Sequence, residues 1–429
     1  MRKLLFAVLC SLCAPLCMAQ ADVYIGVSGD KNQNNGVALG IAKFAGEREG
    51  NAEDAAMGDK IHDIVRADLL FSRYFDVREE GPVLPTMKPG KDLDEWKKSG
   101  AQYVIAARAS NPGKMWTLSA TVYEATSGQP VLEKYYRGDI STVRKAAHMF
   151  SDEVVNRLTG KAGIATTRIV FANDNTGNKE IYTVDYDGEN LIRLTNDKSI
   201  ALLPKWSPDG TKIYYTTYRY RNPDMFEIDL KARKIRPVST QQGLNLPGGV
   251  SPDGDSIAMT LSRGKNPNIY ILGLANKDLR QITSRRTVDS SASYSPDGKY
   301  LVFVSNRTGN PQVHTVELAT GKMDRLTNMN WTDSPRWSPT GEWIVFAGRK
   351  RRGEPINIFL IDITGNQLRQ LTKDAGMNED PTWSPDGRFI AFTSTRNSMR
   401  QIYVMDVDGS APHLVAKLPG KAYTPSWSR

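Results

Sequence analysis

One short pattern returns at nearly constant intervals through the second half of the chain: a large apolar residue followed by Ser-Pro-Asp-Gly, with Thr in place of Asp in the fourth copy. The copies begin at Trp206, Val250, Tyr294, Trp337 and Trp383, and a shortened sixth copy begins at Trp427. Successive copies start 43 to 46 residues apart. Repeats of about 40–50 residues that are built from short strands are typical of β-propellers, in which each repeat forms one blade.

Each repeat can be divided into four strands separated by tight turns. In the fifth copy, residues 381–384 form an inner strand, a turn follows at 385–387, and residues 389–392 form an apolar second strand. Proline presets φ and glycine supplies a positive φ in this turn, so the chain reverses direction over a few residues. Residues 402–405 and 413–415 then give the third strand and the outer edge.

The two ends of the repeat array predict how it closes. Upstream of the first copy, residues 168–171, 181–184 and 192–195 have the pattern of second, third and fourth strands, but no inner strand precedes them. The inner strand that lacks a blade lies at the other end, at residues 424–428. Placing it in the first blade closes a ring of six and removes exposed sheet edges that favour aggregation. We therefore predict an all-β six-bladed β-propeller over residues 161–429, closed by the C-terminal strand.

The first 21 residues have the pattern of a cleaved secretory signal peptide. A basic start, Met1-Arg2-Lys3, precedes an apolar run at 4–16 that is too short to span a bilayer, and Ala19-Gln20-Ala21 is a cleavage site of small residues. All three cysteines lie inside this segment, so the exported chain is predicted to have no disulfide. Its removal lowers the formal net charge from +9 to +7, a mild excess that does not indicate a nucleic-acid partner.

Between the signal peptide and the propeller the pattern changes to mixed helices and strands. Residues 22–35 contain a strand-like stretch followed by a polar, Asn-rich run, which predicts a flexible N-terminal segment that binds a partner. Residues 36–160 are predicted to form a small mixed α/β domain. Its two helices, at 54–71 and at 142–158 with Thr142 as N-cap, each show an apolar stripe at helical spacing.

Motifs that carry catalysis are missing from the sequence. No Gly-x-Ser-x-Gly nucleophile elbow, phosphate-binding glycine loop or His-Glu-x-x-His pattern occurs. No two of the four histidines have metal-ligand spacing. We therefore predict a protein that is not an enzyme and that needs no cofactor.

Arginine recurs at one position, six residues before the first apolar residue of the third strand. It is found in five of the six blades, at Arg219, Arg263, Arg307, Arg352 and Arg396. The chain order places these loops at the same open end of the ring, here called the mouth, as the loops that lead into the inner strands. Those loops carry Leu203, Leu244, Asn245, Leu246, Asp289, Ser290, Asp333, Asp380 and Tyr423.

Two interpretations of this ring of arginines remain open. Each guanidinium group can pair with an acid or a carbonyl of the neighbouring blade and so fix the packing of the repeat. Alternatively, the arginines form a docking rim that binds carboxylates and carbonyls of a protein partner. The acids Asp289, Asp333 and Asp380 also allow a cation held by oxygen ligands at the mouth.

The chain resembles the TolB propeller family over nearly all of its predicted mature part. The resemblance rests on the Ser-Pro-Asp-Gly blades and on their order after an α/β domain. It also rests on Phe71-Ser72-Arg73-Tyr74-Phe75 after the first helix, and on Ser151-Asp152-Glu153-Val154 before Thr167-Arg168-Ile169. The family implies an α/β domain and a six-bladed propeller, located in the periplasm as part of the Tol–Pal system of Gram-negative envelopes.

The resemblance further implies two protein partners. Family members bind the peptidoglycan-associated lipoprotein Pal at the propeller mouth. The corresponding positions here are Arg219, Leu244, Leu246, Arg263, Asp289, Ser290, Arg307, Asp333, Arg352, Asp380, Arg396 and Tyr423. Family members bind the inner-membrane protein TolA through the mature N-terminus, which corresponds here to Asp22, Val23, Tyr24, Ile25, Gly26 and Val27. We expect a monomer that supports outer-membrane integrity and envelope constriction at cell division, with other outer-membrane or periplasmic proteins as further partners.

Two other classes of protein fit parts of the sequence. A Ca²⁺-dependent propeller hydrolase would need an acidic cluster that converges at the centre of the ring. A polysaccharide-binding propeller would need exposed aromatic side chains at the mouth, where Trp331 and Tyr423 are the candidates.

Overall fold

The computed structural model describes most of the chain. The described residues are 36–79, 81, 91–263, 266–284 and 286–428. The predicted signal peptide at 1–21 and the predicted flexible segment at 22–35 lie outside them. None of the described helices combines the length and the apolar character that crossing a bilayer requires.

The part of the chain before the propeller forms one mixed sheet with three α-helices among its described residues. The strands are β1 (Val37–Ile41), β2 (Ala45–Gly46), β3 (Phe75–Arg78), β4 (Tyr103–Ser110), β5 (Met115–Glu124) and β6 (Pro130–Asp139). The helices are α1 (Ala52–Phe71), α2 (Lys91–Lys98) and α3 (Val143–Thr159), with a 3₁₀ turn at Ile140–Thr142 before α3. The sheet order is β3-β1-β4-β5-β6, and β2 pairs with the end of β4.

Strand alternation divides the core of this sheet between two helical layers. In β4, Ile105 belongs to a cluster that also contains Ile61 of α1 and Phe150 of α3. Its neighbour Val104 belongs to a second cluster with Trp96 of α2. Successive residues of a strand point to opposite faces. Helices α1 and α3 therefore cover one face of the sheet, and α2 covers the other.

The two helices predicted from their apolar stripes are confirmed, with bounds that differ by one or two residues. Helix α2 was not among the predicted elements. Thr142 is the N-cap residue of α3, as predicted, but its side chain makes no capping hydrogen bond. Its hydroxyl donates to the Asp139 carbonyl at 2.6 Å and accepts from Trp116 Nε1 at 3.1 Å, because the 3₁₀ turn brings it beside the indole of β5.

The rest of the described chain forms six antiparallel four-stranded sheets, the number of blades predicted from the repeats. From inner to outer strand, the first three are β30 (Ala422–Trp427), β7 (Arg168–Asn173), β8 (Glu180–Asp185) and β9 (Ile192–Arg193); β10 (Ala201–Trp206), β11 (Lys212–Tyr220), β12 (Asn222–Asp229) and β13 (Lys234–Ser239); and β14 (Asn245–Val250), β15 (Ser256–Leu261), β16 (Asn268–Gly273) and β17 (Leu279–Gln281). The other three are β18 (Asp289–Tyr294), β19 (Tyr300–Ser305), β20 (Gln312–Glu317) and β21 (Met323–Arg325); β22 (Trp331–Trp337), β23 (Trp343–Arg349), β24 (Asn357–Asp362) and β25 (Leu368–Gln370); and β26 (Asn378–Trp383), β27 (Phe389–Asn397), β28 (Met399–Asp406) and β29 (His413–Leu414).

The first blade is completed by the end of the chain. Strand β30 runs antiparallel to β7, with Trp427 beside Ile169. The Ser428 hydroxyl accepts a hydrogen bond from the Arg168 N–H at 2.8 Å, across 260 residues of sequence. The Ser207 hydroxyl accepts in the same way from the Lys212 N–H at 2.9 Å within a complete repeat. The serine of the shortened sixth copy therefore makes the same hydrogen bond as in a complete repeat. Its partner, however, comes from the start of the propeller instead of from the residues that follow in sequence.

Tryptophans of the inner strands join neighbouring blades. Trp206 Nε1 donates to the Ser426 carbonyl at 3.0 Å, from the second blade to the first. Trp383 Nε1 donates to the Arg336 carbonyl at 3.0 Å, from the sixth blade to the fifth. A buried indole N–H needs an acceptor, so these bonds satisfy the indoles and fix the spacing of the inner strands.

Helix α1 connects the α/β domain to the first and sixth blades. The Phe71 ring packs on Phe389 of β27 with centroids 4.7 Å apart, and it meets Tyr186, which follows β8, edge-to-face at 5.1 Å. Beside these rings the buried Asp68 carboxylate accepts a hydrogen bond from the Tyr186 hydroxyl and lies 2.8 Å from His148 Nδ1. Burial and the Asp68 carboxylate raise the pKa of Tyr186, so it donates as a neutral phenol. The joint therefore combines aromatic packing with directional hydrogen bonds.

We expect the closing strand to control the stability of the propeller. Trp427→Ala removes an indole that is 6 % exposed and its hydrogen bond to the Thr167 hydroxyl, which should lower the free energy of unfolding by about 3–5 kcal/mol. Tyr135→Ala on β6 is the control, because that ring is 63 % exposed, and it should change the free energy by less than about 0.5 kcal/mol. Urea unfolding followed by circular dichroism measures both, and equally small losses would contradict the closure.

Candidate functional site

All six inner strands are irregular at the same place. Their pairing with the second strand shifts register near the residue that lies three before the end of each strand. At that position Pro247 occupies the third blade, where its ring prevents a positive φ. The other five residues have left-handed backbones with φ between 48° and 60°: Leu203, Ser291, Ser334, Asp380 and Thr424. Such bulges bend a strand and re-aim its side chains, so the repeated bulge shapes this end of the ring.

A ring of apolar residues, three of them exposed and two half-buried, lies just outside the bulges. In each blade, the residue five positions before the large residue of the motif is fully buried. The residue just before it lies at the mouth. We call five of these residues the apolar rim: Ile200, Leu244, Val288, Trp331 and Met377. Ile200, Val288 and Met377 are 45 %, 44 % and 40 % exposed, and Lys421 takes this position in the first blade. Apolar side chains exposed at one end of the ring are candidates for an interaction site, so we take the rim as the candidate binding surface.

Two hairpin tips extend the apolar rim outward. Tyr220, at the end of β11, is 67 % exposed, and Met399, at the start of β28, is 44 % exposed. Both hairpins follow the second strand of a blade, which runs antiparallel to the inner strand and therefore returns to the mouth. The mouth thus carries exposed apolar side chains on both its inner and its outer parts.

Three of the predicted arginines contact other side chains of the propeller itself. Arg219 Nη2 lies 3.0 Å from the buried carboxylate of Asp197. Arg307 Nη2 lies 3.2 Å from the fully buried carboxylate of Asp289. Arg396 lies over an aromatic ring of its own blade, 4.6 Å from the ring centre. These contacts give the three arginines a part in fixing loops and packing blades.

The other two predicted arginines, Arg263 and Arg352, are exposed. In the fifth blade, strand pairing places Lys350 rather than Arg352 at the repeated position, because the loop between β23 and β24 is longer than its counterparts. Lys350 Nζ lies 5.7 Å from the centre of the Phe359 ring, which matches the arginine-over-ring contacts elsewhere. Arg263 and Arg352 are therefore the two arginines of the set that are placed to contact another molecule.

The remaining predicted mouth residues are half-buried. They are Leu203, Leu244, Leu246, Ser290, Asp333, Asp380 and Tyr423. The Asp333 carboxylate accepts from the Ser334 N–H at 2.7 Å and from the Ser291 hydroxyl at 3.1 Å. Asn245 and Asp289 are fully buried, and because Asp289 pairs inside its blade the three acids do not converge. Among the described residues, no group of three His, Cys, Asp or Glu side chains is arranged to hold a metal ion.

Two basic side chains inside the central channel were not predicted as site residues. The channel contains a cavity of about 50 Å³ at the bulges and one of about 180 Å³ toward the Ser-Pro-Asp-Gly turns. Lys205 of β10 and Arg336 of β22 line both cavities, so they lie between them. Because only two of six repeats carry a base there, the repeat pattern gives no signal for them.

Most of the apolar rim was also missed. Ile200, Val288 and Met377 each lie six residues before the large residue of the motif, so superposing the six inner strands would reveal them. The sequence does not show that the next residue is fully buried and that the rim side chains are therefore left outside.

The fold and the rim define a two-domain β-propeller protein with an exposed apolar face at one mouth. Two family descriptions match the chain, the TolB amino-terminal domain over residues 24–131 and the TolB beta propeller domain over residues 155–429. The second match alone covers more than half of the chain. The chain therefore belongs to the TolB family of the Tol–Pal system, and the resemblance inferred from the blade motif and the domain order is confirmed.

Individual relatives agree with this assignment. The Tol-Pal system protein TolB of Geobacter sulfurreducens is 37% identical over 212 residues, 49% of this chain and 48% of that protein. The protein TolB homolog of Chlorobium chlorochromatii is 42% identical over 119 residues, 28% and 27% of the two chains. The match thus spans about half the length, or less, of these curated relatives. The crystal structure of TolB from Acinetobacter baumannii has a TM-score of 0.77 at 25% identity and covers 92% of this chain and 96% of that one.

Alanine variants of Arg307 and Arg263 compare an arginine that is ion-paired inside a blade with one that is exposed. Arg307→Ala leaves the buried Asp289 carboxylate without its ion pair, so we expect the free energy of unfolding to fall by about 3–5 kcal/mol. Arg263→Ala removes an exposed side chain and should change it by less than about 0.5 kcal/mol. Urea unfolding of both variants tests this, and a loss for Arg307→Ala no larger than for Arg263→Ala would show that the buried pair does not support the blade.

Proposed function

We propose that this chain is a periplasmic adaptor of the Tol–Pal system that joins two other proteins and performs no catalysis. In this proposal it binds the lipoprotein Pal at the propeller mouth and TolA through the N-terminus of the mature chain. Membership of the TolB family supports the system to which the chain is assigned. The single structural observation that carries the choice of the mouth is the apolar rim.

The composition of the mouth suits a protein partner. Ile200 and Val288 offer aliphatic surface, whose burial contributes about 25 cal/mol per Å². Met377 adds an unbranched side chain that adapts to an irregular partner surface. The exposed Arg263 and Arg352, in loops that follow the second strands of their blades, add positive charge at the same end of the ring. An apolar centre with a polar periphery is the usual arrangement of a protein interface.

The two alternative classes have less support. A polysaccharide site would use open aromatic faces, but Trp331 is half-buried and the Tyr423 ring is covered by Lys179 Nζ at 4.0 Å. A Ca²⁺-dependent hydrolase would use converging acids, and Asp289 is instead paired with Arg307 inside its blade. Protein binding at the mouth therefore fits the described residues better than either alternative.

The proposed TolA site, residues 22–27, lies outside the described residues, so the proposal rests on the sequence and on the family. The stretch has the pattern of a strand, and an extended segment can bind by adding a strand to the sheet edge of a partner. Backbone hydrogen bonds then supply the affinity. This arrangement would leave the propeller mouth available to Pal.

We further propose that the predicted signal peptide directs the chain to the periplasm, where it acts as a monomer. A scaffold that connects an outer-membrane lipoprotein to an inner-membrane protein would support outer-membrane integrity and the constriction of the envelope at cell division. Other outer-membrane or periplasmic proteins can compete for the same apolar mouth.

Charged substitutions on the apolar rim test Pal binding. Ile200→Asp and Met377→Asp should each weaken the affinity for soluble Pal by about tenfold to a hundredfold, because an unpaired carboxylate would be buried in the interface. Ile363→Asp is the matched control: this residue is 44 % exposed, but it follows β24 at the opposite end of the ring. Isothermal titration calorimetry measures the three affinities. Equal affinity for all three variants would exclude the rim as the Pal site.

Truncation tests the second half of the proposal. A mature chain that begins at Gly36 should lose TolA binding by at least about a hundredfold, because it lacks the whole proposed strand. Its affinity for Pal should stay within about twofold of the full mature chain, since the mouth is intact. Biolayer interferometry with each partner separates the two results. TolA binding at full strength by the shortened chain would overturn the assignment of residues 22–27.

A further inference from the structure

The neck of the central channel, meaning the cavity of about 50 Å³ at the bulges, contains a buried cation that lacks a partner. Lys205 is only 7 % exposed, and its side chain lines this cavity. Across the part of the chain that the structure describes, its ammonium group makes no hydrogen bond, and no carboxylate oxygen lies within 4.0 Å of it. A largely buried lysine usually has an anionic partner, whereas the Lys205 side chain faces the channel cavities without an ion pair.

A second cation faces the same cavity from the opposite side of the ring. Lys205 lies in the second blade and Arg336 in the fifth, and both line the neck. Arg336 Nη1 donates to the Pro335 carbonyl at 2.9 Å and to the Ser291 carbonyl at 3.4 Å. No carboxylate of the described residues lies within ion-pairing distance of its guanidinium group. Burial lowers the pKa of Lys205 and the charge on Arg336 lowers it further, while the Asp380 carboxylate acts in the opposite direction.

Two acids also lie near the neck. Neither forms an ion pair within 4.0 Å with the two cations, although the charge of Asp380 favours the charged forms of both Lys205 and Arg336. Asp380 lines the cavity and accepts from the Ser334 hydroxyl at 3.3 Å. Asp333 is bound by the Ser334 N–H and the Ser291 hydroxyl, and burial raises its pKa. The buried hydroxyl of Thr424, also on the cavity wall, has no hydrogen-bond partner among the described residues. The neck therefore has two cationic groups without a direct ion pair, one carboxylate, Asp380, and a free hydroxyl around one small space.

We propose that the neck binds a single carboxylate group between Lys205 and Arg336, with the Thr424 hydroxyl as a further donor. A cavity of about 50 Å³ holds a group of this size but excludes a sugar or a nucleotide. Leu246 and Ser290, which follow the rim positions of their blades, also line the cavity, so it communicates with the mouth. The carboxylate comes either from an acidic side chain of a protein docked on the mouth or from a small free acid.

Formate is the probe for the isolated mature chain, because it fits the cavity. At constant ionic strength set with sodium HEPES, formate should give a saturable rise in melting temperature. Lys205→Met, which removes the charge and keeps the length of the side chain, should require at least tenfold more formate for the same rise. Lys299→Met is the matched control on an exposed lysine and should respond as the unmodified chain does.

Crystals of the unmodified chain soaked in sodium bromide give a test that does not depend on a variant folding. Anomalous scattering should place a bromide ion in the neck, in contact with Lys205 and Arg336. A neck without bromide, together with a formate response that does not depend on Lys205, would overturn the proposal. Calcium in the neck under the same conditions would overturn it as well, since the acids would then dominate the site.

The source of the carboxylate is decided by repeating the formate titration with Pal bound, and this arm alone rests on the proposed function. If an acidic side chain of Pal fills the neck, formate no longer raises the melting temperature, and carbodiimide joins Lys205 to an acidic residue of Pal. If formate still binds, the natural ligand is a free carboxylate. Failure of Pal to bind would contradict the proposed function but leave the results for the isolated chain unchanged.

Discussion

The pairing of β30 with β7 is the contact on which the rest of this structure depends. It unites the two ends of the propeller in one sheet, with Trp427 beside Ile169. Trp427 shares a core cluster with Phe389 and Val404 of the sixth blade, and the Ser426 carbonyl accepts from Trp206 of the second blade. The closing strand therefore belongs to two blade interfaces. In an open array the first and last blades would each lack a neighbour and would expose unpaired strand edges. Closure gives every blade support on both sides.

A closed ring turns each repeat position into a ring of residues on the surface or in the channel. The position before the buried start of the inner strand gives the apolar rim, and the bulge position gives the narrowing of the channel. The side chain at such a position can differ in one blade without disturbing the others, because the hydrogen bonds that pair the strands are made by the backbone. Lys205 and Arg336 stand where the third and fourth blades have Gly249 and Ser293. The backbone pairing that holds each blade together is thus independent of the side chains that line the channel and the mouth.

The sequence predicts the fold well because the turn motif carries chemistry that every blade needs. Serine accepts from the second strand and glycine takes the positive φ, so both recur and the blades can be counted. The site is predicted less well for three physical reasons. The burial of Asp289, which makes Arg307 a packing residue, depends on neighbours that the sequence does not identify. A longer loop moves Lys350 into the position predicted for Arg352. Thr142 has the residue type of a helix cap, but a 3₁₀ turn gives its hydroxyl other partners.

Hydrogen–deuterium exchange of the mature chain, alone and with Pal, tests most directly whether the apolar mouth is where this propeller holds another protein. We expect slower exchange at 199–203, 287–291 and 376–380, the segments that lead into three inner strands at the mouth. Exchange in the Ser-Pro-Asp-Gly turns at the other end of the ring should stay unchanged. Protection confined to those turns, with no change at the mouth, would contradict this expectation.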